Sequence, residues 1–146
     1  MACQIAKING WIQESVAGTD SFQHMNGRRD VSASLVTSSL EDDSAPDKAR
    51  LKEFVEKLEV LKGATYKLLG MDHYSIKKYT MSESPKIKKI ILQSVYQGQN
   101  NNKYKATEVL VYSKSKFCQM TFAAPAAERD WRRYELVATR SLWVGE

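Results

Sequence analysis

The sequence predicts an α+β domain in which a meandering antiparallel β-sheet packs against a mid-chain helix and a C-terminal helix. Residues 104–112 and 116–123 alternate apolar and polar side chains, and the short polar link 113–115 joins them as in a β-hairpin. Apolar residues recur at helical spacing after Pro46 and again after Pro125. Because consecutive strands joined by short links usually pair with each other, we expect the earlier strands to continue the same meander.

Length and composition predict one globular domain that covers residues 1–146. A chain of 146 residues with 42% hydrophobic and 27% charged residues can bury a core of its own. No apolar run approaches the roughly 18 residues that a membrane-spanning helix needs. The segment MACQIAKING at the start of the chain lacks the continuous apolar region of a signal peptide.

The N-terminal quarter of the chain predicts short strands joined by glycine-containing turns. The dipeptide Asn26-Gly27 favours a tight hairpin turn if strands flank it. Residues 31–37 are mostly β-branched or small, and they alternate as in a half-buried strand. The face expected to be buried consists of Val31, Ala33 and Leu35.

A helix is predicted over residues 46–62. Ser44 can cap its free amides, Pro46 suits the first turn, and Asp47 follows Ser44 at the spacing of a capping box. The apolar stripe of this helix consists of Leu51, Phe54, Val55, Leu58 and Leu61. We expect Gly63 to end the helix, because glycine is common just past a helix C-terminus.

Further strands and a closing helix are predicted downstream. The strands are expected at residues 66–69, 74–80, 87–97, 104–112 and 116–123. The centre of the 87–97 segment is apolar on both faces, which predicts an interior strand. Pro125 cannot donate to a strand ladder and should end the last strand. The closing helix has one apolar stripe, consisting of Ala127, Trp131, Tyr134, Ala138 and Leu142.

The two cysteines leave three interpretations open. Cys118 alternates with Met120 and Phe122, which predicts a buried side chain. Cys3 lies in a segment expected to be loose, where it is an ordinary thiol, forms a disulfide with Cys118, or carries a lipid as the first residue of a processed lipoprotein. The lipid interpretation favours the bacterial periplasm or outer envelope over the cytoplasm.

Four features along the chain match one known pattern. Trp11 follows the first predicted strand, a helix covers residues 46–62, and MTFAAP at residues 120–125 precedes a last helix that ends near Ser141-Leu142. This pattern resembles the PsbP-like superfamily, which includes the photosystem II extrinsic subunit, a Ran-binding import factor, bacterial envelope lipoproteins and secretion-associated chaperones. The resemblance implies a small non-enzymatic protein-binding domain. For a bacterial chain it also implies an envelope lipoprotein or a secretion-associated chaperone or immunity protein.

The sequence carries no recognisable catalytic or metal-binding motif. His24 and His73 are the only histidines, and neither has a ligand partner three or four residues further along. No glycine-rich phosphate loop or nucleophile motif is present. We therefore expect neither enzymatic activity nor a bound metal or cofactor.

A protein partner is expected to bind near the C-terminal half of the chain. Exposed loops, arginines and tryptophans are typical of protein interfaces. The candidate contacts are Asn100, Asn101 and Lys103 in the 98–103 loop, together with Arg132, Arg133 and Trp143.

The second hypothesis is a nucleic-acid-binding module. The formal net charge is +5, and three tyrosines lie among lysines on the predicted strands. These residues are Tyr96, Tyr104 and Tyr112, with Lys88, Lys89, Lys103, Lys105 and Lys114. Interleaved rings and lysines can hold a single strand of nucleic acid, whereas the same rings can also pack against each other across neighbouring strands. Both hypotheses remain open from the sequence.

Overall fold

The computed structural model describes residues 3–16, 19–25, 28–39, 45–113 and 116–145. Its strands are β1 (Cys3–Ile5), β2 (Trp11–Val16), β3 (Thr19–Met25), β4 (Arg28–Ser39), β5 (Asp72–Glu83), β6 (Lys88–Gln97), β7 (Lys103–Ser113), β8 (Lys116–Pro125) and β9 (Leu142–Val144). The helices are α1 (Leu51–Leu68) and α2 (Trp131–Ser141). The predicted α+β class is therefore confirmed.

Seven strands form one antiparallel sheet in the order β2-β3-β4-β8-β7-β6-β5, and β1 pairs with β9 in a separate ribbon. The predicted meander is confirmed from β5 to β8 and again from β2 to β4. The two meanders join where β8 pairs with β4 along residues 32–39. The predicted interior position of β6 is also confirmed, because β5 and β7 flank it.

The sheet separates two apolar cores. On one side, which we call the α2 face, the sheet packs against α2 and the β1–β9 ribbon. Sheet residues in this core include Val31, Ala33, Leu35, Cys118, Met120 and Phe122, all at most 1% exposed. The predicted inward faces of β4 and β8 are thus confirmed, since every second side chain over residues 31–35 and 118–124 lies in this core.

The opposite side, the α1 face, has a smaller core. Ile90, Leu92 and Leu110 of the sheet are buried against Val55 of α1. Phe54 and Leu58 pack against the same cluster and remain partly exposed. The apolar stripe predicted for the mid-chain helix therefore does face the sheet through most of its residues. Leu61 is the exception, because it is 66% exposed.

The boundaries of α1 differ from the prediction. A short 3₁₀ turn over Lys48–Arg50 precedes the helix, and the Asp47 carboxylate caps it by accepting from Arg50 N at 3.0 Å. The predicted cap Ser44 lies outside the described residues. The predicted end at Gly63 is wrong, since the helix continues through Gly63 to Leu68. Gly70 follows the end of the helix with a φ of 84°.

The predicted strand at residues 66–69 is consequently wrong. Residues 66–68 form the last turn of α1, and Tyr66 packs onto the sheet instead of entering it. A glycine inside a helix costs only about 1 kcal/mol relative to alanine, which contacts between the helix and the sheet can offset. Local sequence signals therefore placed the helix end one and a half turns too early.

The C-terminal helix is shorter than its predicted stripe. Ala127 precedes α2, and Leu142 begins β9, so only the three central residues of the stripe lie in the helix. β9 then pairs with β1 and brings Val144 opposite Cys3. The expectation of a loose segment around Cys3 is wrong, because Cys3 is 6% exposed and is bonded to Cys118 in a disulfide.

Two predicted turns have strands on both sides but lie outside the described residues. β3 and β4 flank Asn26-Gly27, and β7 and β8 flank residues 114 and 115. The antiparallel pairing of each pair of strands agrees with a hairpin. No helix within the described ranges is long and apolar enough to cross a membrane.

Candidate functional site

The loop between β6 and β7 is a compact turn. Gly98 N donates to Asn102 O at 2.8 Å and closes it, while Asn100 and Asn101 adopt φ values of 60° and 58°. Asparagine tolerates this left-handed conformation better than most residues do. A Cβ on Gly98 would lie 2.7 Å from the Tyr104 ring, so the loop also needs glycine at its first position. Both asparagine side chains are exposed.

Several predicted site residues share one end of the sheet with this loop. Ala126 N donates to Lys103 O at 2.8 Å, which places the segment before α2 beside the start of β7. Arg132 and Arg133 follow as exposed residues in the first turn of α2. Asn100, Asn101, Lys103 and the two arginines therefore lie at the same end of the sheet.

Trp143 is separated from these residues. It is 54% exposed and lies on β9, beyond the other end of an 11-residue helix. A helix of this length spans roughly 16 Å. The structure therefore divides the predicted contacts between two places. One partner can contact both Trp143 and the loop only if it spans the length of α2.

A charged cluster fixes the connection before α2. Arg28 donates to Glu128 at 2.8 Å and to Asp30 at 3.0 Å. The hydrogen bonds from Arg28 lower the pKa of both carboxyl groups below their usual range, and in turn they raise the pKa of the guanidinium. Because these groups neutralise each other, Arg28 adds little to the positive charge of this end.

A group of exposed lysines lies on the α2 face of β5, β6 and β7. Opposed residues in an antiparallel sheet share a face, so the registers place Lys78, Lys89 and Lys105 on one side. We call these three lysines the basic strip. They belong to the three cross-strand rows that begin at Ser75, Lys78 and Ser82, and these rows hold no carboxylate on the paired strands. The row that begins at Thr80 lies among them and holds none either.

The basic strip is solvent-exposed because α2 covers only the neighbouring part of this face. Glu135 of α2 accepts from Thr107 Oγ1 at 2.7 Å, which marks the border of the covered area. Lys105 Nζ lies 5.8 Å from the centre of the Trp131 ring, within the range of a cation–π contact. Among the described residues, none of the three lysines pairs with a carboxylate.

Arg132 and Lys103 extend the basic strip toward the loop end. Arg132 lies three residues before Glu135, a spacing that places both on the same flank of α2. Lys103 is two residues before Lys105 on β7 and therefore shares its face. The sequence pointed to Lys89, Lys103, Lys105 and Arg132 separately. It did not show that Lys78 joins them, because this depends on the pairing of β5 with β6.

The three tyrosines of the nucleic-acid hypothesis lie on the α1 face, opposite to the basic strip. Tyr96 and Tyr104 stack against each other at 5.4 Å, while Tyr112 packs against Phe117 at 4.9 Å. Tyr96 is 9% and Tyr112 is 8% exposed. Burial raises the pKa of each of these two hydroxyls to about 12. Cross-strand packing therefore accounts for these rings, and they do not form an exposed stacking platform beside the lysines.

A buried carboxylate on the α1 face was not anticipated from the sequence. Glu108 is fully buried and accepts from Tyr66 Oη at 3.3 Å and from Tyr74 Oη at 3.4 Å. Lys62 Nζ of α1 lies 3.1 Å from the same carboxylate. Burial, and then the negative charge of Glu108, raise the pKa of Tyr66 and of Tyr74. The sequence signal for this cluster is a glutamate in the middle of a predicted strand whose neighbouring residues, 107 and 109–111, are buried, since a buried carboxylate needs partners.

The described cysteines and His73 lie apart from one another or are already bonded. No group of three or more histidine, cysteine, aspartate or glutamate residues there is arranged to hold a metal ion. His73 Nε2 lies 4.0 Å from the Asp72 carboxylate, and both side chains are solvent-exposed. Both cysteines are used in the disulfide.

A long antiparallel sheet, a helix on each face and a ribbon formed by β1 and β9 make up a fold that solved structures of other proteins share. Cyanobacterial PsbP from Synechocystis sp. PCC 6803 is similar over 94% of this chain and 83% of its own, with 15% identity and a TM-score of 0.65. The Ran-binding protein Mog1p of Saccharomyces cerevisiae is similar over 98% of this chain and 90% of its own, with 12% identity and a TM-score of 0.57.

A protein of unknown function from Pseudomonas aeruginosa, PA94, is also similar, with 10% identity and a TM-score of 0.48 over 94% of this chain and 99% of its own. At 15% and 12% identity, the similarities to cyanobacterial PsbP and Mog1p show a common fold and nothing further. No model of a known protein family matches the sequence. No curated protein matches it by sequence either.

Proposed function

We propose that this chain is a non-enzymatic protein-binding domain that captures an acidic segment of a partner protein on the basic strip. The observation that carries the proposal is the strip itself, in which Lys78, Lys89 and Lys105 face solvent across rows without a carboxylate. Unneutralised charge of one sign on a flat surface attracts a partner of the opposite sign and guides its approach.

Two further observations support a protein as the partner. The tyrosine rings that would stack on bases are packed on the opposite face of the sheet. One protein of similar fold, Mog1p, is described as Ran-binding, so this fold is compatible with protein recognition. Lys103, Arg132, Arg133, Asn100 and Asn101 would extend the contact at the loop end, while Trp143 would contact only a partner that spans α2.

The disulfide supports a location in an oxidising compartment, and for a bacterial chain this is the envelope proposed from the resemblance. Disulfides persist in oxidising compartments such as the periplasm and are rare in the cytoplasm. A lipid on Cys3 would need the sulfur that now bonds to Cys118, so the lipid anchor and the disulfide are alternatives for one molecule. The same proposal extends to a chaperone or immunity role in a secretion system, for which a secreted effector is the expected partner.

The test compares two charge-reversed variants that carry the same net charge. Lys89→Glu/Lys105→Glu reverses two of the three lysines of the basic strip. Lys48→Glu/Lys52→Glu instead reverses two exposed lysines, one in the 3₁₀ turn before α1 and one in the first turn of α1. Each protein serves as bait in bacterial lysate, with and without nuclease, and the affinity for the recovered partner is then measured.

The expected result is one stoichiometric protein that survives nuclease and binds the strip variant at least roughly tenfold more weakly than the control. Nucleic acid recovered by the wild type and lost by the strip variant, with a steep dependence on salt, would instead assign the strip to nucleic acid. Equal capture by both variants would remove the basic strip from the proposal.

A further inference from the structure

β5 is an edge strand whose outer side is unpaired among the described strands. It lies at the end of the sheet order and pairs only with β6. An edge strand presents backbone N–H and C=O groups that can accept another strand, and proteins usually blunt such edges. Whether β5 can pair with another strand therefore depends on how much of its outer edge is blocked by bulges or by side chains that bond its backbone groups.

The outer edge of the first half of β5 is blocked against pairing with another strand. The register with β6 shifts between Asp72 and Ser75 and again between Ile76 and Lys78, so this half is bulged and Lys77 is an extra residue. Ile76 N donates to the Glu59 carboxylate of α1 at 2.7 Å instead of remaining free for another strand. These features oppose pairing along the first half of the edge.

The second half of β5 is regular. Residues 78–83 pair with residues 88–93 of β6 one for one, without a bulge. Side chains along it are mostly exposed, and Tyr79 is 38% exposed. A flat segment of this kind, bordered by a bulge, accepts a partner strand over about six residues and fixes where the pairing must stop.

The sequence of this segment is self-complementary in an antiparallel register centred on Thr80. Opposed residues must share a face, so Tyr79 must oppose another residue of the α1 face. In this register Thr80 of one copy lies opposite Thr80 of the other, so residues equally far from Thr80 on its two sides oppose each other. Tyr79 then lies opposite the partner's Met81, and Lys77, at the bulge, lies beside the partner's Glu83. A parallel arrangement would instead bring each lysine close to its own copy.

We propose that β5 is a self-association edge, along which a second copy of this chain pairs antiparallel over residues 78–82, with Lys77 and Glu83 at the two ends of the paired segment. The opposite charges of Lys77 and Glu83 argue for a second copy as the occupant, because twofold symmetry makes this contact twice. The two sheets become one, and Lys78 faces the partner's Ser82, so the two basic strips form a continuous surface.

The test is a charge swap at residues that the basic strip does not use. Sedimentation analysis from about 1 µM to about 1 mM measures the dimer Kd for wild type, Lys77→Glu, Glu83→Lys and the double variant. Each single change brings like charges together at both symmetric contacts and should raise Kd by roughly tenfold. The double variant restores opposite charges and should return Kd close to the wild-type value.

Three results would overturn the proposal. They are a chain that stays monomeric throughout this range, a dimer that both single variants leave unchanged, and a double variant as weak as its parents. A chain that stays monomeric would mean that any strand that pairs with β5 comes from a different protein. Lys89→Glu/Lys105→Glu leaves every residue of β5 intact and should still dimerise, so a failure of self-association and a failure of partner capture can be told apart.

Discussion

Glu108 is the residue on which the sequence and the structure differ most. Its neighbours at 107, 109, 110 and 111 are buried, and a fully buried carboxylate is stable only when it is paired and hydrogen-bonded. Lys62, Tyr66 and Tyr74 provide those contacts from α1 and β5. The partners are far apart in the chain, so the sequence could reveal the buried glutamate but not the residues that satisfy it.

We expect Glu108→Gln to lower the free energy of unfolding by about 3 kcal/mol, because it leaves the Lys62 ammonium against the sheet without its counter-charge. Lys62→Met/Glu108→Gln should lower the free energy of unfolding by less than the sum of the two single changes, since it also removes the ammonium group that Glu108→Gln leaves unpaired. Urea denaturation measures all three variants. Glu56→Gln, on the exposed side of α1, is the control and should stay within about 0.5 kcal/mol of the wild type. Additive losses would show that Lys62 and Glu108 do not interact.

At the scale of elements, periodicity predicted the strands of the core well and the ends of the helices poorly. β4 and β8 each alternate without interruption, so their buried faces followed directly from the sequence. α1 continues past Gly63 because Lys62 and Tyr66 on either side of it contact Glu108 of the sheet. A tertiary contact thus overrides the local signal for a helix end.

Two glycine substitutions test the boundary of α1. A Cβ at Gly63 meets no atom within 4 Å, so Gly63→Ala should stabilise the helix by about 0.5–1 kcal/mol. Gly70 has a φ of 84°, which strains any other residue, so Gly70→Ala should destabilise the protein by roughly 1 kcal/mol. Thermal unfolding of the two variants gives the comparison. If the helix ended at Gly63, as the sequence alone suggests, the first substitution would be destabilising as well.

At the scale of the molecule, the sequence predicted the local meanders but not the contacts that join them. The pairing of β8 with β4 and of β9 with β1 connects segments more than seventy residues apart. Short links determine which neighbours pair, whereas distant pairings depend on how the finished faces fit together. The basic strip is divided among three strands for the same reason, and only the assembled sheet shows it.

The disulfide gives the strongest test of these distant contacts, because it joins Cys3 to Cys118 across a sequence separation of 115 residues. We expect Cys3→Ala/Cys118→Ala to lower the free energy of unfolding by roughly 2–4 kcal/mol, since the bond restricts the unfolded chain over a long loop. Denaturant unfolding with and without reductant measures the effect, and reductant should not change the double variant. Both sulfurs belong to buried residues, so alkylation of the folded wild type should label neither cysteine. A readily labelled Cys118 together with a lipid mass on Cys3 would contradict the disulfide and support the membrane-anchored form.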